Sequence, residues 1–204
     1  MTTRIFLLSP ARLDGARARL LFNPDAAFPL AQAVRAREGA SLADVFTFLS
    51  GLYFRGKHAY AQMFGRGSTG VASVHIITTS RGLLSPDTRV TRYDLESFAQ
   101  VDLSAGGERF RAPLVRDAER IRAGLDDAAE IVLLGSIATG KYVDPLLTVF
   151  GTRLLFPETF VGRGDMSRGG VLLRSARAER ELAYVPVAGA VRRGRRPPKL
   201  ARVR

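Results

Sequence analysis

The sequence contains no cysteine and only two histidines, His58 and His75, among its 204 residues. Without cysteine the chain cannot form a disulfide, a thiolate metal site or a cysteine nucleophile. Two histidines alone do not build a usual zinc site. We therefore predict no metal and no cofactor.

Long apolar runs are absent as well. No run reaches the roughly 18 consecutive apolar residues that a membrane-spanning helix needs. The apolar run from Ile5 to Leu8 near the start is too short for the core of a signal peptide. We therefore expect a cytoplasmic protein without a membrane partner.

Lysine is scarce although the chain is basic. The net charge is +12, and all the basic residues are arginine except Lys57, Lys141 and Lys199. Seven basic residues and no acidic one lie between positions 192 and 204, which leaves +5 for the rest of the chain. We predict a single domain over residues 1–190 and a disordered, Arg/Pro-rich basic tail over residues 191–204.

Short apolar runs alternate with helical patterns along the domain. The runs at residues 5–8, 74–78 and 130–134 are typical of buried strands. Helices between such strands predict an α/β fold, a mostly parallel central sheet flanked by helices. We also expect a glycine-rich loop over residues 162–170, followed by a hairpin that pairs residues 171–173 with residues 182–187.

Small or polar residues follow each of the three predicted strands. They are Ser9, Ser80 with its neighbours, and Gly135-Ser136. Ligands in open parallel sheets bind beyond the carboxyl ends of the strands, so we predict a site there. The alternative is that these loops are polar only because loops generally are.

A phosphate-loop pattern, Gly-x-x-x-x-Gly-Lys, runs from Gly135 to Lys141. The next residue, Tyr142, replaces the Ser or Thr that would hold Mg²⁺, which argues against an NTPase. A weaker interpretation is anion binding at a helix N-terminus by Gly135, Ser136, Gly140 and Lys141. A tight strand-to-helix turn is the alternative.

The segment from Leu52 to Tyr60 concentrates aromatic and basic side chains. Tyr53 suits stacking on a base, while Arg55 and Lys57 suit contacts to phosphate. Alternatively, the tyrosines form one buried helix face. We expect His58 to be structural because no acidic partner is near it in sequence.

The glycine-rich segment from Gly162 to Gly170 offers one carboxylate and two guanidinium groups. Asp165 is a candidate catalytic base, and Arg163 and Arg168 are candidate phosphate clamps. The alternative is a flexible connection without a ligand.

A family resemblance is carried by Ser80-Arg81-Gly82-Leu83-Leu84-Ser85-Pro86-Asp87 together with Tyr93-Asp94-Leu95-Glu96. This spacing resembles the signature of the YaaA family, whose members are associated with peroxide stress and DNA binding. The resemblance covers about residues 48–100. It also extends to uncharacterised bacterial α/β domains, and related domains accompany the catalytic barrel of archaeosine tRNA-guanine transglycosylases. It implies an α/β fold and association with nucleic acid in stress or DNA damage.

Three functions remain open from the sequence. The leading hypothesis is a bacterial protein that binds nucleic acid, DNA or RNA, and also a nucleotide or phosphate ligand. The residues predicted to contact it are Tyr53, Arg55, Lys57, Ser80, Arg81, Gly82, Gly135, Ser136, Gly140, Lys141, Arg163 and Arg168.

The second hypothesis is an enzyme that acts on the glycosidic bond of a base, nucleoside or nucleotide. Such chemistry needs a carboxylate beside the developing sugar cation, for which Asp165 is the first candidate, before Asp87 and Asp94. A single site requires Asp165 to converge with Ser9, Ser136 and Arg81. The third hypothesis is an interaction module without catalysis.

Overall fold

The computed structural model describes residues 2–101, 107–198 and 200. Eight strands lie in this part of the chain: β1 (Arg4–Leu8), β2 (Ala40–Ser41), β3 (Val74–Ile77), β4 (Leu83–Leu84), β5 (Arg89–Val90), β6 (Glu130–Leu134), β7 (Leu154–Pro157) and β8 (Tyr184–Pro186).

The central sheet has six strands in the order β4-β3-β1-β6-β7-β8. Strand β1 pairs in parallel with β3 and β6, and β6 pairs in parallel with β7. The edge strands β4 and β8 are antiparallel to their neighbours, while β2 and β5 form a separate antiparallel pair. The predicted α/β fold with a mostly parallel sheet is confirmed.

Eight helices surround this sheet over the described residues. They are α1 (Ala16–Phe22), α2 (Pro29–Arg35), α3 (Leu42–Ser50), α4 (Leu52–Phe64), α5 (Arg92–Ala99), α6 (Glu108–Ala123), α7 (Gly140–Phe150) and α8 (Asp165–Arg177). None of these helices is long and apolar enough to cross a bilayer.

Local sequence explains where several helices begin and end. The Ser41 side chain caps α3 by accepting a hydrogen bond from the Asp44 amide at 3.1 Å. Thr91 and Asp94 form a reciprocal capping box at the start of α5. Gly51 separates α3 from α4 in a conformation with φ of 59°, which side chains other than glycine rarely adopt.

The two central strands are apolar because both of their faces are covered. Residues Ile5 to Leu8 of β1 and Ile131 to Leu134 of β6 have no exposed surface. Such uninterrupted burial is typical of a parallel sheet between helix layers. The core therefore lies on both sides of β1 and β6, and it fixes the edge at which the candidate site forms.

The predictions for residues 162–173 were wrong. Most of the expected glycine-rich loop and all of the expected strand at residues 171–173 belong to helix α8. Strand β8 pairs with β7 instead. Tertiary contact overrides the weak helix propensity of glycine here, since Leu172 is fully buried. Residues 191–198 of the predicted tail contain no helix or strand.

Candidate functional site

The carboxyl ends of β1 and β6 lie side by side at the point where the chain changes direction across the sheet. From β1 the chain moves to β3 on one side, and from β3 it returns past β1 to β6. This switch point is where open α/β sheets bind ligands. Here the two ends touch, because a Cβ added to Gly135 would lie 3.0 Å from the Ser9 Cβ.

Lys57 of α4 reaches this point from within the core. Its side chain is 1% exposed. Its Nζ donates to the Ser9 carbonyl oxygen at 2.6 Å and to the Ser9 Oγ at 2.9 Å. The same nitrogen lies 4.5 Å from the centre of the Tyr53 ring and 4.9 Å from that of Phe54. Lys57 therefore ties α4 to the end of β1.

Burial controls the protonation of this lysine. Removal of water lowers the pKa of Lys57 to about 7; Asp165 opposes this shift and Arg168 reinforces it. The desolvation effect is largest because the charged form loses most of its hydration. Lys57 is thus an amine that can gain or lose its proton near neutral pH.

A close crossing of α4 and α8 brings the other charged groups to Lys57. A Cβ on Gly56 would lie 2.7 Å from the Gly169 carbonyl oxygen, and a Cβ on Gly169 would lie 2.8 Å from the Leu52 carbonyl oxygen. Only glycine allows the two backbones to approach this closely. The first turn of α8, with Asp165 and Arg168, consequently packs beside Tyr53 and Lys57.

Arg168 and Tyr53 are buried polar groups with few partners. Arg168 is 8% exposed. Its Nε and Nη2 both donate to the Phe160 carbonyl oxygen at 3.3 Å, and its Nη1 lies 3.6 Å from Asp165 Oδ1. The Tyr53 hydroxyl has no hydrogen-bond partner among the described residues. We name Ser9, Tyr53, Lys57, Asp165 and Arg168 the Lys57 cluster.

A surface groove of about 620 Å³ adjoins this cluster. We name it the carboxyl-end groove; its lining is Pro10, Ala11, Arg12, Leu13, Asp14, Thr79, Phe98, Ala99, Gln100, Val101, Lys141 and Tyr142. Ser9 of the cluster directly precedes Pro10 of the groove, and the charge of Asp165 acts on Tyr142 of the groove. Burial, and next the charge of Asp165, raises the pKa of Tyr142 to about 12.

A second depression, of about 530 Å³, lies beyond β3 toward α6. We name it the arginine pocket; its lining is His75, Ser80, Arg81, Leu83, Leu84, Pro113, Arg116, Asp117, Arg120 and Ile121. The Ser80 Oγ is buried and has no hydrogen-bond partner among the described residues. Asp117 pairs with Arg116 at 2.8 Å and accepts from the Leu83 amide at 3.1 Å.

The structure brings only some of the predicted site residues together. Tyr53, Lys57, Asp165 and Arg168 meet in the Lys57 cluster, and Ser136 follows Gly135 beside it. Arg81 instead pairs with Asp94 at 3.0 Å.

Four of the residues predicted to contact phosphate line four different depressions. Arg55 lines a pocket between α1 and α4, Arg81 the arginine pocket, Lys141 the carboxyl-end groove, and Arg163 a pocket beside the tail. They lie on different elements of the fold, and the Arg163 guanidinium is engaged by Ser167 at 3.1 Å.

The burial of Tyr53 and Lys57 corrects one expectation. Both residues are buried, so neither side chain lies on the exposed surface, where stacking on a base and contact to phosphate were predicted. The glycines expected to approach a ligand lie close to other parts of the protein. A Cβ on Gly82, Gly135 or Gly140 would meet Asp117, Ser9 or Asp144, respectively.

Sequence reasoning missed Tyr142 as a link between groove and cluster, and it missed the arginines of α6. Arg116 and Arg120 are spaced by four residues, which places both on one face of a helix. That spacing could have identified the two arginines from the sequence. No sequence pattern indicates the role of Tyr142, because that role depends on the position of α8.

Comparison with known proteins gives no relative from which a function can be transferred. No protein-family model, curated protein or solved structure matches the chain. The resemblance to the YaaA family therefore stays a prediction. The geometry of the candidate site is the main guide to function.

Proposed function

We propose that this protein binds nucleic acid through phosphate contacts along one surface that crosses the carboxyl ends of β1 and β3. The carboxyl-end groove forms one end of this surface and the arginine pocket forms the other. Between them lies a bridging depression lined by Ser80, Arg81, Ser97, Glu108, Arg109, Ala112 and Pro113. We call the three together the cationic track.

Neighbouring depressions are connected by shared or consecutive lining residues. Ser80 and Arg81 line both the bridging depression and the arginine pocket. Ser97 of the bridging depression directly precedes Phe98 of the groove. A strand of nucleic acid is a ligand whose shape suits such a connected surface, because its phosphates repeat along its length.

The charge of the track is the observation that carries the proposal. Its lining includes six cations, Arg12, Arg81, Arg109, Arg116, Arg120 and Lys141, and three carboxylates, Asp14, Glu108 and Asp117. Most of these guanidinium groups are exposed, as at Arg116 and Arg120. Exposed arginines recognise phosphate oxygens through paired N–H groups.

The basic tail and the family resemblance support the same proposal. The tail adds seven positive charges between positions 192 and 204, which strengthen attraction to a polyanion without base recognition. The resemblance to the YaaA family adds an association with peroxide stress and DNA. In this proposal the protein acts in the cytoplasm, where bacterial nucleic acid is found.

The test is the salt dependence of nucleic-acid binding. Fluorescence anisotropy with labelled duplex DNA, single-stranded DNA and RNA, measured over a potassium chloride series, gives the slope of log affinity against log salt. Each phosphate contact to duplex contributes a slope of about −0.9. We expect the double variant Arg116→Gln/Arg120→Gln to make the duplex slope shallower by about 2.

The matched control is Arg111→Gln/Arg122→Gln, which removes two exposed arginines of the same helix outside the three linings. It should change the slope much less. Equal effects of the two double variants, or an affinity that does not change between low and moderate salt, would contradict the proposal.

A second candidate function is hydrolysis or transfer at a glycosidic bond. It is favoured by Asp165, whose carboxylate is 70% exposed and lies 3.6 Å from the buried Arg168, close to Tyr142 of the groove. A carboxylate there would stabilise a developing sugar cation. Release of free base from DNA, RNA or nucleosides, lost in Asp165→Asn with binding retained, is the expected result. No release by the unmodified protein excludes this function.

A further inference from the structure

We propose that the Lys57 cluster is a binding site for one phosphate group, with the Arg168 guanidinium and the Tyr53 hydroxyl as its direct donors. The identity of the ligand as nucleic acid rests on the function proposed above. The site itself rests on the cluster's charges, on its unsatisfied donors and on its position beside the groove.

When Lys57 is protonated, the cluster contains more positive than negative charge. Lys57 and Arg168 are both buried, whereas the one carboxylate beside them, Asp165, is largely exposed and 3.6 Å from Arg168. A buried cation without close compensation is strongly destabilising. An anion that enters the cluster would supply the missing compensation.

Donors without adequate acceptors surround the same point. Tyr53 is 6% exposed and its hydroxyl has no partner among the described residues. Nε and Nη2 of Arg168 share one acceptor at 3.3 Å, which leaves the guanidinium with donors to spare. Buried polar groups are normally satisfied, so the unpartnered Tyr53 hydroxyl beside a guanidinium with spare donors indicates a missing acceptor.

The start of α8 adds favourable geometry to these side chains. This helix is 13 residues long, and Gly164 at its N-cap provides no side-chain acceptor. The free amides of a first helical turn favour an anion. The buried Tyr53 hydroxyl, which has no hydrogen-bond partner among the described residues, belongs to the same cluster.

We take the carboxyl-end groove as the entrance, because Ser9 of the cluster directly precedes Pro10 of the groove lining. Tyr142 lines the groove and is close enough to Asp165 for that charge to affect its pKa. The side chain of Asp165 is exposed and can turn toward solvent. We infer that Asp165 partly compensates Arg168 in the free protein and gives way to the phosphate on binding.

The protonation of Lys57 supplies a signature that a purely structural role would not give. Its pKa is about 7 in the free protein, so the amine is mostly neutral at pH 8. A nearby anion raises the pKa of an amine. Binding at pH 8 should therefore be accompanied by proton uptake.

The experiment is isothermal titration calorimetry of the full chain at pH 8 with the thymidine dinucleotide TpT, whose single phosphodiester does not titrate in this range. Thymidine, which lacks phosphate, is the ligand control. Titrations in two buffers of different ionisation enthalpy measure the protons taken up. We expect TpT to bind with proton uptake and thymidine not to bind.

Four variants assign the site. Arg168→Gln and Tyr53→Phe should each weaken TpT binding about tenfold. Arg177→Gln, at the exposed far end of α8, should not weaken it. Lys57→Met should abolish proton uptake. Thermal melting identifies any variant that fails to fold, and Tyr53→Phe, which removes one oxygen, decides the matter if Arg168→Gln does not fold.

The possible failures are distinguishable. Unchanged TpT affinity in folded Tyr53→Phe and Arg168→Gln, or no TpT binding at all, overturns the phosphate site even if long nucleic acid binds with a salt dependence. Binding of TpT at the cluster without salt-dependent binding of long nucleic acid overturns the proposed function and leaves the phosphate site standing.

Discussion

Lys57 places an ionisable amine inside the core, at the carboxyl end of β1. In the sequence it lies among aromatic and basic neighbours, which favoured a surface contact to phosphate. In the fold it is buried and donates to both oxygens of Ser9. Its positive charge is therefore a property of the core, and the pH dependence of stability should reveal it.

We expect the free energy of unfolding to rise with pH between about 7 and 9 because of Lys57. Its pKa falls from 10.5 to about 7 on folding, through burial. In this range the unfolded chain binds the proton more tightly, so raising the pH favours the folded state, by up to ~1.4 kcal/mol per pH unit. Urea denaturation at pH 7, 8 and 9 measures this slope.

Two lysine variants provide the comparison for this prediction. Lys57→Met should flatten the rise, since methionine does not titrate. Lys141→Met, in the surface groove, should leave it unchanged. A slope that is the same in Lys57→Met and in the unmodified protein would show that Lys57 keeps its proton in the fold.

The crossing of α4 and α8 is the element-scale feature on which the candidate site depends. Gly56 and Gly169 have poor helix propensity. At Gly169 this contributed to the wrong prediction of a loop at residues 162–170. Glycine is needed at both positions because a Cβ on either residue would lie within 2.8 Å of the backbone of the other helix. Local propensity and tertiary packing thus favour opposite residues at these positions.

We predict that Gly169→Ala destabilises the protein by about 2 kcal/mol, as is usual for overpacking, although alanine is the better helix former. Its Cβ would lie 2.8 Å from the Leu52 carbonyl oxygen. Chemical denaturation measures the loss. Gly164→Ala is the control, since no atom lies within 4 Å of its Cβ. A stabilised Gly169→Ala would mean that the helices are farther apart than described.

At the scale of the whole molecule the charge is divided between two regions. The cationic track belongs to the folded domain, while seven positive charges belong to residues 192–204. Within the described part of the tail, Arg192 pairs with Asp144 at 3.2 Å, and both side chains are substantially exposed. Exposed pairs of this kind contribute little to stability.

Removal of residues 191–204 should therefore separate binding from stability. We expect weaker nucleic-acid binding with a shallower salt dependence, because fewer counterions are released, and a melting temperature that changes by only a few degrees. Anisotropy titrations and thermal melting of the full and shortened chains test both parts. An unchanged salt slope would assign binding to the domain alone.

Much of the fold was predictable, whereas the arrangement of the site was not. Apolar runs identified β1, β3 and β6, and the α/β class followed from their alternation with helices. The helix at residues 165–177 was missed because its glycines obscured the periodic pattern. Asp165 and Arg168 were chosen as candidates, but their meeting with Tyr53 and Lys57 depends on that helix.

The sequence by itself determined strands β1, β3 and β6, the absence of cysteine chemistry and the concentration of charge in the tail, because composition and periodicity are local properties. Only the tertiary structure decided that Lys57 is buried against Ser9 and that Arg55, Arg81, Lys141 and Arg163 face different depressions. These outcomes depend on strand order and on the approach of Gly56 to Gly169. Contacts between residues so distant along the chain leave no local pattern in the sequence.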